Sequence, residues 1–290
     1  MSDKQRDSIQ FNAKGQDFFD VGRIAEAEDM YRRAIAADPS WSVPHYNLGL
    51  LCKYAGRWSE SLAFNKRASE LDPQDEAAAW NLGIAATALG DWATARLAWS
   101  RCGIELPVGD GPILINYGIV PIRLDPQGRA EVVWARRIDP ARARIANIPF
   151  PETGYRFGDL VLHDGAAVGE RRLGDKIVPV FNMLTLLETS EFKTFVLWAP
   201  NASQAAIESL AALAEEEGCF VEDWSSSVRY ICATCSKGPA LPEHIHQEPQ
   251  STKGVQFALA ARNLEEALRL AQRWTERENL GPASARLVVE

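Results

Sequence analysis

Proline recurs at a fixed interval near the start of this chain: Pro39, Pro73 and Pro107 lie 34 residues apart. Other columns keep the same beat. Gly15, Gly49 and Gly83 align, as do Gly22, Gly56 and Gly90. Ala27, Ser61 and Ala95 share a slot, followed by Tyr31, Asn65 and Trp99, then Ala34, Ala68 and Cys102. A gapless period over three copies limits the fold more than any other feature of the sequence. A unit that short cannot bury its own apolar face and must stack on its neighbours.

The columns have physical meaning. Each unit reads as two amphipathic helices joined by a tight turn at the second glycine, a residue free to take the positive φ that ends a helix. Small residues at the first glycine column and at the Ala27 column let paired helices approach closely. Large residues at Tyr31 and Trp99 fill the space between units. Each proline ends a second helix and opens the next unit.

This pattern resembles the tetratricopeptide repeat over residues 8–107. Departures fall at His45 and Ala79, where the family often has Trp, and at Asn65, which replaces an aromatic. They imply looser packing of the second unit. The resemblance implies a solenoid whose inner surface is lined by the first helix of each unit. The groove candidates are Asn12 and Gln16 in the first unit, with Ile9 and Phe19 on the same face. Tyr46, Asn47, Leu50 and Tyr54 follow in the second, with Val43 and Lys53 on the same face, and Trp80, Asn81 and Ile84 in the third. Asn47 and Asn81 share a column, and an amide ladder has the donors and acceptors to bond an extended peptide backbone. Tyr46 and Trp80 offer aromatic anchors. The competing reading is that these helices pack on the rest of the chain. The family's carboxylate clamp needs several basic groove residues, and Lys53 stands alone, so that use is not expected.

Charge narrows the partner. The chain has 290 residues and a net charge of −8, so it lacks the electropositive field that nucleic acid requires. Its composition, 46% hydrophobic and 24% charged, is that of a soluble protein with real cores. No apolar run approaches the roughly 18–20 residues that cross a bilayer. The polar start lacks the apolar core of a secretory signal. An odd number of cysteines, five, fits a reduced setting, so no membrane and a cytoplasmic location are expected.

From about residue 113 the period shifts toward two. Strands are expected over Ile113–Ile122, Ala130–Arg137, Ala143–Ile148, Asp159–His163 and Lys176–Phe181, making a small barrel or curled sheet. The arginines 136, 137, 142 and 144 read as a solvated strand face beside Glu131 and Asp139. His163, with Asp159 and Asp164 nearby, reads as a hairpin tip rather than a catalytic group. No nucleophile elbow, phosphate loop or dinucleotide fingerprint occurs.

Beyond residue 190 the order strand, helix, strand, strand, helix, strand is that of a ferredoxin-like α+β unit. The helices expected are Ser203–Glu217 and Leu264–Glu278, the second with Leu264, Ala267, Leu268, Ala271 and Trp274 on one face. A strand is also expected over Val228–Cys232. The loop that follows carries Cys232, Cys235, His244 and His246 in the pattern Cys-x2-Cys-x8-His-x-His. Two thiolates from a tight turn and two imidazoles complete a tetrahedral set, and the stretch between them has no apolar pattern to hold it by packing. A structural zinc site leads the readings. A catalytic metal with an open position and an unmetallated loop stand beside it. Cys52 and Cys219 read as packed core thiols.

The sequence therefore describes an α+β chain in three parts: a helical solenoid over 1–107, a β-rich domain over 113–190, and a ferredoxin-like domain with a metal loop over 191–290. The expected role is a protein–protein interaction adaptor that takes a peptide segment in its groove. The alternative is a zinc-dependent, hydrolase-like enzyme whose repeats recruit substrate.

Overall fold

Helices in the N-terminal part alternate with turns that the glycines make possible. They are α1 (Asp3–Asp20), α2 (Ile24–Ala37), α3 (Ser42–Tyr54), α4 (Trp58–Leu71), α5 (Glu76–Leu89) and α6 (Trp92–Arg101). The computed structural model describes residues 2–128, 130–199, 202–224, 255–281 and 284–290. The chain divides into two compact units, Met1–Leu114 and Ile115–Glu290.

In the first unit Gly22, Gly56 and Gly90 take φ of +75°, +68° and +71° between the helices of each pair. The other glycine column works by contact. A Cβ on Gly15 would lie 2.6 Å from the Tyr31 ring, one on Gly49 2.5 Å from the Asn65 amide, and one on Gly83 2.7 Å from the Trp99 indole. The departure at Asn65 does not loosen its repeat: the residue is fully buried and its Nδ2 donates to Ser61 O at 2.8 Å. Ser61 in turn donates to Gly49 O at 2.9 Å, tying α4 to α3. Helix starts are capped where the sequence allows, with Asp75 and Asp91 accepting from Ala78 N and Thr94 N.

The second unit begins with a closed barrel of β1 (Ile119–Arg123), β2 (Val132–Arg137), β3 (Arg142–Ile145), β4 (Leu160–Leu173) and β5 (Lys176–Glu188). Successive strands pair antiparallel, and β1 closes the barrel by pairing parallel to β5. Ile122, Val133, Ala135, Ala143, Val161, Phe181 and Met183 fill the interior. The first strand is shorter than its apolar run suggests, and β4 and β5 are longer, continuing as an arm to the turn at Gly174.

Two sequence expectations fail here. Arg142 and Asp139 are not on a solvated face: both are buried, and Arg142 Nε donates to Asp139 Oδ2 at 2.5 Å. The same carboxylate accepts from Ala141 N and Arg142 N, so it organises the whole β2–β3 turn. His163 is not at a hairpin tip. It lies within β4, fully buried, with its ring stacked on Phe181.

After the barrel come β6 (Lys193–Ala199), α7 (Gln204–Glu216), β7 (Phe220–Asp223), β8 (Val255–Ala261), α8 (Leu264–Glu278) and β9 (Ser284–Val289). The strands form one antiparallel sheet in the order β7-β8-β6-β9. Phe195, Leu197, Phe257 and Leu259 from the sheet meet Leu210, Leu213, Leu270 and Trp274 from the helices. Trp274 Nε1 donates to Ala206 O at 2.8 Å, joining α8 to α7. The buried stripe of α8 is Ala267, Leu270, Ala271 and Trp274, whereas Leu264 and Leu268 face solvent. The buried face is thus rotated from the expected one, with Leu270 in place of both leucines. The strand expected over Val228–Cys232 lies outside the described residues.

The close approaches predict their own sensitivity. Gly83→Ala forces the Trp99 ring out of place and is expected to cost about 1–3 kcal/mol. Gly111→Ala, with open space around it, is expected to stay within about 0.5 kcal/mol of the parent. Urea unfolding followed by helical circular dichroism checks the pair. In the barrel, Asp139→Ala takes the carboxylate away from the buried Arg142 guanidinium, and a loss of about 3–5 kcal/mol is expected in the same measurement.

Candidate functional site

The first helices of the three repeats stand side by side and are joined by side chains. Asn47 Nδ2 on α3 donates to Asn12 Oδ1 on α1 at 2.9 Å. Lys53 Nζ on α3 donates to Asn81 Oδ1 on α5 at 3.0 Å. These bonds put α1, α3 and α5 on one wall, the wall the repeat pattern assigns to the groove.

The candidate residues divide along that wall. In the first two repeats Asn12, Tyr46, Asn47 and Leu50 are half-buried, and Gln16 is exposed, its Nε2 donating to Asp20 at 2.8 Å. Apolar surface is open here: Ile9 is 46% exposed, Val43 38% and Tyr54 54%. In the third repeat Asn81 and Ile84 are buried, and Thr87 with them. Trp80 is half-buried, set edge-on to Trp99 with ring centroids 5.1 Å apart.

Asn47 and Asn81 therefore do not form a free amide ladder. Each uses polar capacity on the neighbouring first helix. Sequence reasoning placed both amides in one column but missed their partners, because a bond between repeats is invisible to a pattern read within one repeat. The signal was the pairing of a long cation, Lys53, with an amide one repeat on. Lys53 itself is buried and its ammonium lies 4.5 Å from the centroid of the Tyr54 ring.

Burial sets the chemistry of the nearby titratable groups. The Tyr31 hydroxyl is pushed up to about 12, first by burial and then by Asp20. The Cys52 thiol is pushed up to about 11, chiefly by burial, and that of Cys102 likewise. Burial also raises Cys219. Such thiols are poor nucleophiles, and Cys52 and Cys219 are core packing residues.

The proposed metal ligands Cys232, Cys235, His244 and His246 lie outside the described residues. Among the described residues no group of three or more His, Cys, Asp or Glu side chains is placed to hold a metal ion. No helix among them is long and apolar enough to cross a membrane.

The N-terminal unit is built of three helix pairs whose period, turn glycines and interlocked columns are like those of tetratricopeptide repeats. No family model and no curated protein matches the chain. Solved structures similar to it are tetratricopeptide domains, and the likeness spans about a third of the chain. The second such domain of Spaghetti (RPAP3), bound to the HSP90 peptide SRMEEVD, is 25% identical, with 33% of this chain and 90% of that chain covered and a TM-score of 0.32. The TPR2B domain of yeast Sti1 in its pHsp70 complex is 19% identical, with 33% and 77% covered and a TM-score of 0.32. The Sgt2 domain from Aspergillus fumigatus is 20% identical, with 32% and 62% covered and a TM-score of 0.31.

The cross-repeat bonds make a prediction about the wall. Asn81→Leu removes an acceptor from a buried ammonium and is expected to cost about 2 kcal/mol, whereas Asn47→Ala, at a half-buried amide pair, is expected to cost about 1 kcal/mol or less. Equilibrium denaturation of the two variants checks the order.

Proposed function

We propose that this protein is an interaction adaptor whose repeat unit grasps a segment of another polypeptide along the wall of α1 and α3. The observation that carries the reading is the open apolar surface of Ile9, Val43 and Tyr54 on helices held side by side by the Asn12–Asn47 bond. Apolar surface left open on adjacent helices and rimmed by polar groups is the mark of a contact site. Lys53, the cation among the groove candidates, is buried and bonded to Asn81. The expected partner segment is accordingly apolar or aromatic rather than an acidic terminus.

The rest of the proposal concerns the second unit. We read residues 191–290 as a ferredoxin-like domain, supported by the β7-β8-β6-β9 order and the two helices on one face. We read the Cys232, Cys235, His244 and His246 set as a structural zinc site, supported by ligand type and spacing alone. A cytoplasmic location accords with free thiols at Cys52, Cys102 and Cys219.

Two experiments test these readings. Val43→Glu with Tyr54→Glu puts charge on the exposed apolar surface and replaces no buried side chain. Partners recovered with the parent protein by affinity purification are expected to be lost, with helical content unchanged; undiminished recovery refutes the groove. For the metal, one zinc per chain is expected after purification, falling to near zero in Cys232→Ser. A parent protein free of zinc after folding in its presence refutes the site.

A further inference from the structure

His163 occupies the point where the barrel part of β4 gives way to its projecting arm. The β4–β5 ladder is regular on neither side of it: register shifts fall between Leu162 and His163, between His163 and Ala167, and between Ala167 and Gly169. The imidazole is fully buried at this break. Its Nδ1 lies 2.8 Å from Asp164 O. A carbonyl only accepts, so Nδ1 carries the proton and Nε2 presents a bare lone pair. That Nε2 is buried and has no hydrogen-bond partner among the described residues.

Burial and the Arg137 guanidinium favour a neutral ring, while the neighbouring Asp164 opposes them more weakly. From β5, Phe181 stacks on the imidazole with centroids 5.3 Å apart, and Met183 pairs with it in register. From β2, Arg137 places its guanidinium over the same Phe181 ring, 5.6 Å from the centroid, and over Tyr117 at 5.5 Å. Arg137 forms no ion pair among the described residues and bonds instead to two carbonyls, Asp139 O and Pro140 O. From the β2–β3 turn and β3, Asp139 and Arg142 are committed to each other. Ala141 O, in the same turn, accepts from His163 N at 2.8 Å. On its own strand, Asp164 turns Oδ1 to Gly165 N at 2.8 Å.

We propose that His163 is a proton-operated latch on the β4–β5 arm: a proton taken up at Nε2 finds no acceptor, sets a second cation beside Arg137, and drives the bulged stretch of β4 out of the barrel wall. The part of β4 beyond the bulge leaves with it, including the contact of Arg123 Nη2 with Val168 O at 3.3 Å.

The direction of the pH response follows. Burial first, and Arg137 second, lower the imidazole from 6.5 to about 4. A group whose folded value lies below its exposed value favours opening as protons are added. The latch is therefore shut above pH 6.5, weakens as pH falls from 6.5 toward about 4, and changes little below that. Those two values correspond to an opening equilibrium raised about 25-fold at pH 5.0 relative to pH 7.5.

Hydrogen–deuterium exchange of the full chain at pH 7.5 and pH 5.0, corrected for intrinsic exchange, reads the latch in peptides spanning residues 165–181. Protection there is expected to fall about 25-fold at pH 5.0 in the parent, with far less change in α3 and α5. His163→Asn keeps a donor for Asp164 O but cannot titrate, and its arm is expected to be equally protected at both pH values. Unchanged protection in the parent, or the same loss in the variant, overturns the proposal. Imidazole nitrogen resonances of the parent protein give a measurement that does not depend on the variant folding. They are expected to show the proton on Nδ1 at pH 7.5 and a midpoint shared with the arm signals. A proton on Nε2, or arm signals indifferent to that midpoint, also overturns it.

Discussion

Close contact between a glycine and a large or polar side chain holds the repeat unit together. Gly15 lies under Tyr31, Gly49 under Asn65 and Gly83 under Trp99, each at a distance that leaves no room for a methyl group. The contact fixes how near the two helices of a pair come. That spacing in turn sets where α1, α3 and α5 stand, and so which residues can reach across from one repeat to the next. The Asn12–Asn47 and Lys53–Asn81 bonds exist because the glycine column brings the first helices into register. The geometry of this wall is thus a consequence of packing behind it.

The barrel answers a different problem, since a short sheet closed on itself leaves little room for polar groups. Asp139 resolves it at the β2–β3 turn by taking two backbone N–H groups and the Arg142 guanidinium together. A buried ion pair of this kind contributes little net stability, whereas breaking it by removing one partner is strongly destabilising. Glu222 plays a like part between barrel and sheet. Its carboxylate accepts from Asn147 Nδ2 and from Ile148 N, both at 2.8 Å. Phe157 stacks on Phe220, with centroids 3.9 Å apart, and adds an aromatic contact between the same two layers.

Much of this was legible in the sequence, and the parts that were not share a cause. The 34-residue period, the turn glycines and the helix caps are local features, and local features write themselves into spacing. Five strands in the middle region were visible from alternation, although the reach of β4 and β5 was not, because an arm that leaves the barrel loses the alternation that marks a buried face. Arg142 and His163 were misread for a related reason. Composition says that charged and polar residues face water, and only the packing around them, which buries Arg142 with Asp139 and sets His163 against Phe181, shows that they do not. The rotated face of α8 turned on one residue, Leu270, which periodicity alone ranks no higher than Leu268. The groove amides were placed in the right column, yet their bonds to Asn12 and Lys53 join different repeats and leave no trace in the period of either.

The same tertiary facts decide which apolar surfaces are covered and which are open. A sheet with helices on one side can present its other face as a platform for ligands. Here Phe195, Leu197, Phe257 and Leu259 are covered by α7 and α8. On the opposite face, Ala258 and Ala260 are covered by Ile148, Phe157, Phe192 and Trp224. The centre of the sheet is therefore taken up by the protein's own core from both sides. Apolar surface on the first helices of the repeats is open by comparison, at Ile9, Val43 and Tyr54. Within each unit considered alone, the centre of the sheet is covered by its own chain, and the repeat wall keeps apolar side chains exposed.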